Sequence, residues 1–202
     1  MSLAPEILPA LIKAVTTTIE QNAEEVTELD QVLGDGDHVT NLQRGIGALN
    51  DQIDDIAQLE WPQAIQKIGM TLLSTMGGAS GSLFGTLFIS MSKAMAGKKE
   101  FSQQEFADVF FAGVEAVKKR GKAEAGEKTM LDTLIPVADK MLEGGVSMDD
   151  ICRVAIEGME STKEMKATKG RASYLEEKSI GHIDAGARTS QLIICAIVEA
   201  LK

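Results

Sequence analysis

Apolar residues recur along most of this chain with the spacing of a helix face. Leu8, Leu11, Ile12, Val15 and Ile19 form one stripe, and Phe84, Leu87, Phe88, Met91 and Met95 form another. Phe106, Val109, Phe110, Val114 and Val117 make a third, and Ile151, Val154, Ala155 and Met159 continue the pattern. Steps of three and four place such residues on one side of an α-helix. Leu192 to Val198 is apolar nearly all round, which predicts the most buried helix. No alternating run is long enough to argue for a sheet.

Boundary signals divide the chain accordingly. Ser102 with Glu105, and Ser147 with Asp150, have the spacing of a capping box. Pro62 suits a first helical turn, and Gly97, Gly121 and Gly144 suit helix ends. The predicted helices run over about 5–29, 39–52, 62–75, 80–97, 102–121, 129–143, 147–166 and 185–201. If sequential neighbours are antiparallel, alternate connections share an end of the bundle. The connections near 53–61, 98–101 and 144–146 hold ordinary turn residues and charges. Those near 30–38, 76–79, 122–128 and 167–184 hold nearly every unusual motif, so an up-and-down bundle gathers four scattered motifs at one rim.

Composition narrows the classes. The 202 residues fit a single domain over 1–202, and 44% hydrophobic with 25% charged residues is ordinary for a globular protein. No apolar run reaches the roughly 20 residues of a membrane span. Met1 to Pro5 has neither a basic region nor an apolar region of the signal-peptide kind. Cys152 and Cys195 both fall in apolar helical patterns and read as buried reduced thiols of a cytoplasmic protein. A net charge of -10 argues against nucleic acid or an anionic membrane as partner. It also opposes a phosphorylated ligand, unless a divalent cation lies between the two.

The first rim connection supplies carboxylates for such a cation. Asp30, Asp35 and Asp37 lie within eight residues, the last two separated only by Gly36. Hard oxygen ligands at this density suit magnesium, and a solvated Asp-Gly turn is the plain alternative. His38, Thr40 and Asn41 stand at a helix start, where exposed amides can bind phosphate and where Thr40 or Asn41 could equally be a cap. The second connection, Met76 to Ser82, is rich in small residues and feeds straight into a helix, another place where backbone can approach an anion. It lacks the Gly-Lys-Ser/Thr of a Walker loop. In the third, Arg120 to Asp132, the charges could be only surface, while Gly126 and Thr129 are consistent with a loop-to-helix ligand contact. The fourth is too long for a simple turn. It carries the chain's one tyrosine, Tyr174, together with His182 and Arg171, a cation suited to phosphate. It reads as a lid over the rim.

With these four connections assembled, the chain resembles the nucleotide-binding L subunit of dihydroxyacetone kinase. The resemblance covers essentially the whole chain and rests on Gly34 to His38, Met76 to Gly81 with Gly85 and Thr86, Gly121 to Glu124, Lys128 to Met130, Lys169 to Leu175 and Ser179 to His182. It implies an all-α, eight-helix antiparallel up-and-down barrel with the nucleotide site at one end. It assigns Asp30, Asp35 and Asp37 to magnesium, two ions in all. It places His38, Thr40, Asn41, Ala79, Ser80, Gly121, Met130, Arg171, Asp184 and Gly186 around ADP or ATP. It further implies a partner K subunit that carries dihydroxyacetone, and a phosphotransferase-system phosphocarrier protein that recharges the bound ADP. A homodimer is a further expectation. Three positions depart from the family's habit: Val39 and Glu176, where glycine is usual, and Ala185, where Asp-Pro-Gly is common. A subunit for another small ketose, and a nucleotide-sensing regulatory protein, are the alternatives.

Overall fold

The computed structural model describes residues 4–202. Met1 to Leu3, part of the segment read for a signal peptide, lie outside the described residues. The helices are α1 (Leu8–Gln21), α2 (Ala23–Leu33), α3 (His38–Asn50), α4 (Ile53–Ile56), α5 (Trp61–Thr75), α6 (Gly78–Ala94), α7 (Gln103–Gly121), α8 (Leu131–Leu142), α9 (Met148–Ser161) and α10 (Ala185–Ala200). No strand occurs among the described residues. None of these helices is long and apolar enough to cross a membrane.

The apolar stripes decide how the helices associate. Helix α1 packs on α3, α3 on α5, and α5 through α10 each on the next, and α10 returns to α1. That order closes a ring, compatible with the expected barrel. The stripe residues Leu8, Ile12, Ile19, Phe84, Leu87, Met91, Val109, Val114 and Val117 are all buried in one continuous core, with Trp61 at the start of α5. The last helix is less uniformly buried than its composition predicts. Leu192 and Val198 are in the core, while Ile193, Ile194 and Cys195 are only partly covered.

Helix boundaries follow local chemistry. The Ser102 capping box forms in full, the hydroxyl accepting from Glu105 N–H and the Glu105 carboxylate accepting from Ser102 N–H. Only half of the second box forms: the Ser147 hydroxyl accepts from Asp150 N–H, and the Asp150 carboxylate takes the hydroxyl proton. Pro62 sits in the first turn of α5, as its missing N–H allows. The first predicted helix differs most. It breaks at Asn22, whose side-chain amide bonds Thr18 O at 2.7 Å. It then resumes as α2 and runs past the expected stop to Leu33, because no glycine or proline intervenes before Gly34. Arg188 of α10 braces this break, donating to both carboxylate oxygens of Glu25 at 3.0 and 2.7 Å and to Asn22 Oδ1 at 3.3 Å.

One expectation is overturned. Cys152 and Cys195 are joined in a disulfide across α9 and α10, and no free cysteine remains among the described residues. They lie 43 positions apart in sequence, which hid the pairing. The packing of the two helices brings their Cα atoms to 5.0 Å, within reach of a disulfide. The cysteines therefore give no support to a cytoplasmic placement.

Candidate functional site

The four rim connections meet around a cavity of about 400 Å3 at one end of the helices. That is the scale of a small-ligand site, roughly 300–1,000 Å3. The first connection contributes Asp30, Asp35, Asp37 and His38, the second Ala79 and Ser80, the third Gly121 and Met130, and the fourth Arg171, Asp184 and Gly186.

Because α2 runs on, Asp30 stands on its last turn and not in a loop. Gly34 ends the helix, its N–H reaching Asp30 O at 2.6 Å. A Cβ at Gly34 would lie 2.3 Å from Asp30 Oδ1, so only glycine lets the carboxylate fold over the turn. Gly36, at φ +75°, then reverses the chain between Asp35 and Asp37. The outcome is three carboxylates, each with an oxygen within 4.8 Å of the others. Like charges this close repel, and their oxygens form a set that could hold a cation. Asp30 Oδ2 also accepts the His38 N–H at 3.0 Å, which fixes the acidic turn to the start of α3.

His38 ties that start to α10. Its Nε2 lies 3.0 Å from Thr189 Oγ1, and the Thr189 hydroxyl donates to Gly186 O at 3.1 Å. With its proton engaged there, the hydroxyl accepts, so Nε2 carries the imidazole hydrogen. Burial pushes the His38 pKa below its ordinary value against the pull of Asp30 and Asp37, which favours the neutral ring.

The opposite wall carries cations. Arg171 Nη2 lies 2.8 Å from Asp35 Oδ2, so the fourth connection reaches across to the first. This segment is a 3-10 stretch, Arg171–Ser179, with Tyr174 almost fully exposed. Glu176 within it has φ 50° and ψ −124°, a region that favours glycine. Arg120 Nε donates to Ser82 Oγ at 2.8 Å beside the second connection. Asp184 caps α10, its Oδ2 accepting from Ala187 N–H at 2.8 Å. Burial raises its pKa to about 6, against the backbone bond from Ala187 and the nearby Lys128 ammonium. Between the polar walls, Leu83, Val117, Ala123 and Leu131 supply an apolar side.

Of the residues expected around the metal and the nucleotide, Thr40 and Asn41 do not line the cavity, nor do Gly126, Tyr174 and His182 of the third and fourth connections. Helix α3 begins at His38 with Asp37 as its N-cap position, so neither Thr40 nor Asn41 is a cap. Thr40 is exposed. Asn41 is buried beneath Gly77, where a Cβ would lie 2.5 Å from its Oδ1, and that oxygen accepts from Arg44 at 3.2 Å. Conversely, Lys128 is 1% exposed and lines the cavity, although its charged surroundings suggested surface. Leu83, Val117 and Leu131 were indistinguishable from core, because they continue helical stripes into the rim.

Comparison with known proteins follows the same lines. Residues 32–199 match the family described as the DAK2 domain. The chain is 40% identical over 181 residues to the ADP-binding subunit of PEP-dependent dihydroxyacetone kinase 1 of Listeria innocua, covering 90% of this chain and 89% of that one. It is 37% identical over 183 residues to the ADP-binding subunit of the PTS-dependent dihydroxyacetone kinase of Lactococcus lactis, covering 91% of each. Among solved structures, it superposes on the dihydroxyacetone kinase of C. freundii in complex with AMP-PNP and Mg2+ with a TM-score of 0.79 at 22% identity. That match covers 98% of this chain and 34% of the other, and at this identity it bears on the fold.

Proposed function

The chain belongs to the DAK2 domain family, and from that premise we propose that it is the nucleotide-binding subunit of a dihydroxyacetone kinase. In this reading it holds ADP or ATP at the rim and passes the terminal phosphoryl group to dihydroxyacetone carried by a partner K subunit. A phosphotransferase-system phosphocarrier protein recharges the ADP in place. The observation that carries the proposal is the convergence of four distant connections on one cavity, with Asp30, Asp35 and Asp37 clustered on one side and Arg171 facing them.

The donor set fits magnesium: three carboxylates with oxygens within 4.8 Å offer hard ligands and leave room for phosphate oxygens and water. Asp30, Asp35 and Asp37 would hold it, with two ions proposed. When bound, magnesium offsets negative charge on the phosphates and the transferring group. The chain's own residues orient the nucleotide. Backbone amides at the start of α6, beside Ala79 and Ser80, face phosphate at a helix N-terminus. Arg171 leaves Asp35 for a phosphate oxygen. The apolar side near Leu83, Val117 and Met130 suits a base, and Asp184 with Gly186 bounds the nucleoside. The fourth connection, lying over the pocket, excludes water. Positioning and charge compensation supply most of the acceleration in this class of transfer.

The test is reconstitution. The purified chain is mixed with magnesium, ADP, a K subunit and the phosphocarrier system, and dihydroxyacetone phosphate is measured. The expected result is turnover only with all parts present, and its loss in Asp37→Asn at unchanged helical circular dichroism. Turnover by this chain alone, or full activity of Asp37→Asn, refutes the assignment.

A further inference from the structure

We propose that Lys128 is a positioning residue: a buried ammonium that latches the base of the fourth connection and so controls how readily the pocket opens. Its effect on nucleotide release rests on the functional reading above, while the latch itself rests on geometry alone.

Lys128 is 1% exposed and holds φ 61°, a left-handed backbone uncommon for lysine. Its Nζ donates to two carbonyls, Thr162 O and His182 O. These acceptors stand at opposite ends of the fourth connection. Thr162 follows the last turn of α9, and His182 precedes by two residues the Asp184 that caps α10. Two other bonds join the same ends: Gly181 N–H to Lys163 O at 2.7 Å and Asp184 N–H to Thr162 Oγ1 at 3.1 Å. The connection is therefore a loop closed at its neck, with a side chain from the third connection at the closure.

The neighbouring residue holds the outer side. Thr168 donates to Glu127 through its N–H at 3.3 Å and through its hydroxyl at 3.1 Å, and Lys169 Nζ lies 3.5 Å from the Glu127 carboxylate. The carboxylate of Asp132 keeps the third connection in shape, accepting from Thr129 N–H at 2.7 Å and from Gly126 N–H at 2.5 Å. A rigid turn thus presents residues 127 and 128 to both halves of the loop.

The chemistry of the side chain argues for a purpose beyond filling space. Burying an ammonium is costly unless its protons are satisfied. Burial pushes its pKa below the usual lysine value, against the carboxylates of Asp184, Asp132 and Glu164. Methionine would occupy nearly the same volume without that cost. What methionine lacks is a donor that can draw two carbonyls from separate strands of chain to one point. A latch at the neck sets the position of Asp184 and the hinge of the loop that carries Arg171.

The experiment uses the full chain as Lys128→Met and Lys128→Arg. Amide hydrogen exchange is followed without ligand, and release of labelled ADP is followed at fixed magnesium. In Lys128→Met, exchange over 163–184 is expected to rise about tenfold or more, with amides of α5 and α6 unchanged. ADP should dissociate about 10- to 150-fold faster, the range for one hydrogen bond to a charged group, while its association rate changes little. Lys128→Arg, which keeps the donors, is expected to recover most of both effects. If Lys128→Met does not fold, Lys128→Gln, which keeps a shorter neutral donor in place of the ammonium, takes its place and should give a local rise over the same residues. Wild-type exchange over 163–184 in Lys128→Met overturns the latch, as does a rise spread evenly through the chain. A local rise in a chain that does not bind ADP would support the latch and sink the nucleotide reading. Tight ADP binding with no local rise would do the reverse.

Discussion

Replacing Arg171 with alanine should move two affinities in opposite directions. Its guanidinium pairs with Asp35 at 2.8 Å, with side-chain exposures of 66% and 35%. An exposed pair of this kind contributes about 0.2–1 kcal/mol, so the thermal midpoint should barely change. The same pair occupies a carboxylate proposed for metal. Freeing Asp35 should tighten binding of a divalent ion alone by roughly the same energy, about 1.4- to 5-fold in Kd. With nucleotide present, the mutant should instead lack the charge-assisted contact to phosphate proposed above. Such a contact is worth about 1.5–3 kcal/mol, or about 10- to 150-fold, expressed mainly in the dissociation rate. Paramagnetic titration with manganese as the probe ion measures the first effect, and stopped-flow release of a fluorescent ADP measures the second. Weakening of both by similar factors would refute the reasoning, since Arg171 would then only hold the acidic turn in place. No change in either would remove Arg171 from the site altogether.

Two further outcomes follow from the rim. The Asp184 pKa, raised to about 6 by burial, lies above its ordinary value of 3.8, so the contribution of this group to stability is present below that ordinary value and is lost as pH rises through about 6. Asp184→Asn keeps a capping oxygen and should be nearly neutral at pH about 4, yet stabilise the nucleotide-free chain by up to about 3 kcal/mol at pH about 8. Urea unfolding at the two pH values checks this, and a gain independent of pH contradicts it. Glu176→Gly should relieve the backbone at φ 50°, raising stability by about 1 kcal/mol, whereas Glu176→Ala should not. Thermal unfolding of the pair decides between relief of strain and loss of a surface charge.

The helices were legible because period and punctuation agreed. Stripes such as Phe84, Leu87 and Met91 are buried as their spacing predicts, and the Ser102 box and Pro62 mark real starts. The gathering of four connections at one rim was legible too, since antiparallel neighbours force alternate connections to share an end. Errors arose where a local pattern met a tertiary one. Asn22 breaks a helix that its neighbours favour, and the Arg188 brace that accompanies the break comes from residues far along the chain. The Cys152–Cys195 bond depends on helix register, which the sequence does not print. Lys128 was read as a candidate surface charge because a run of charged residues carries no mark of which member will be enclosed.

The packing of α10 against α1 has a consequence for the order of assembly. These two helices lie near opposite ends of the sequence, and their contact completes the ring. Until residues 185–200 have been synthesised, α1 lacks one of its two flanking neighbours and leaves apolar surface uncovered. The same late segment brings Asp184 and Gly186 to the pocket. A growing chain therefore cannot complete this cavity ahead of its core. Non-local closure of this kind also slows folding, since long stretches of chain must be ordered before the contact rewards them. A complete cavity and kinetic commitment to the native state thus arrive together, with α10.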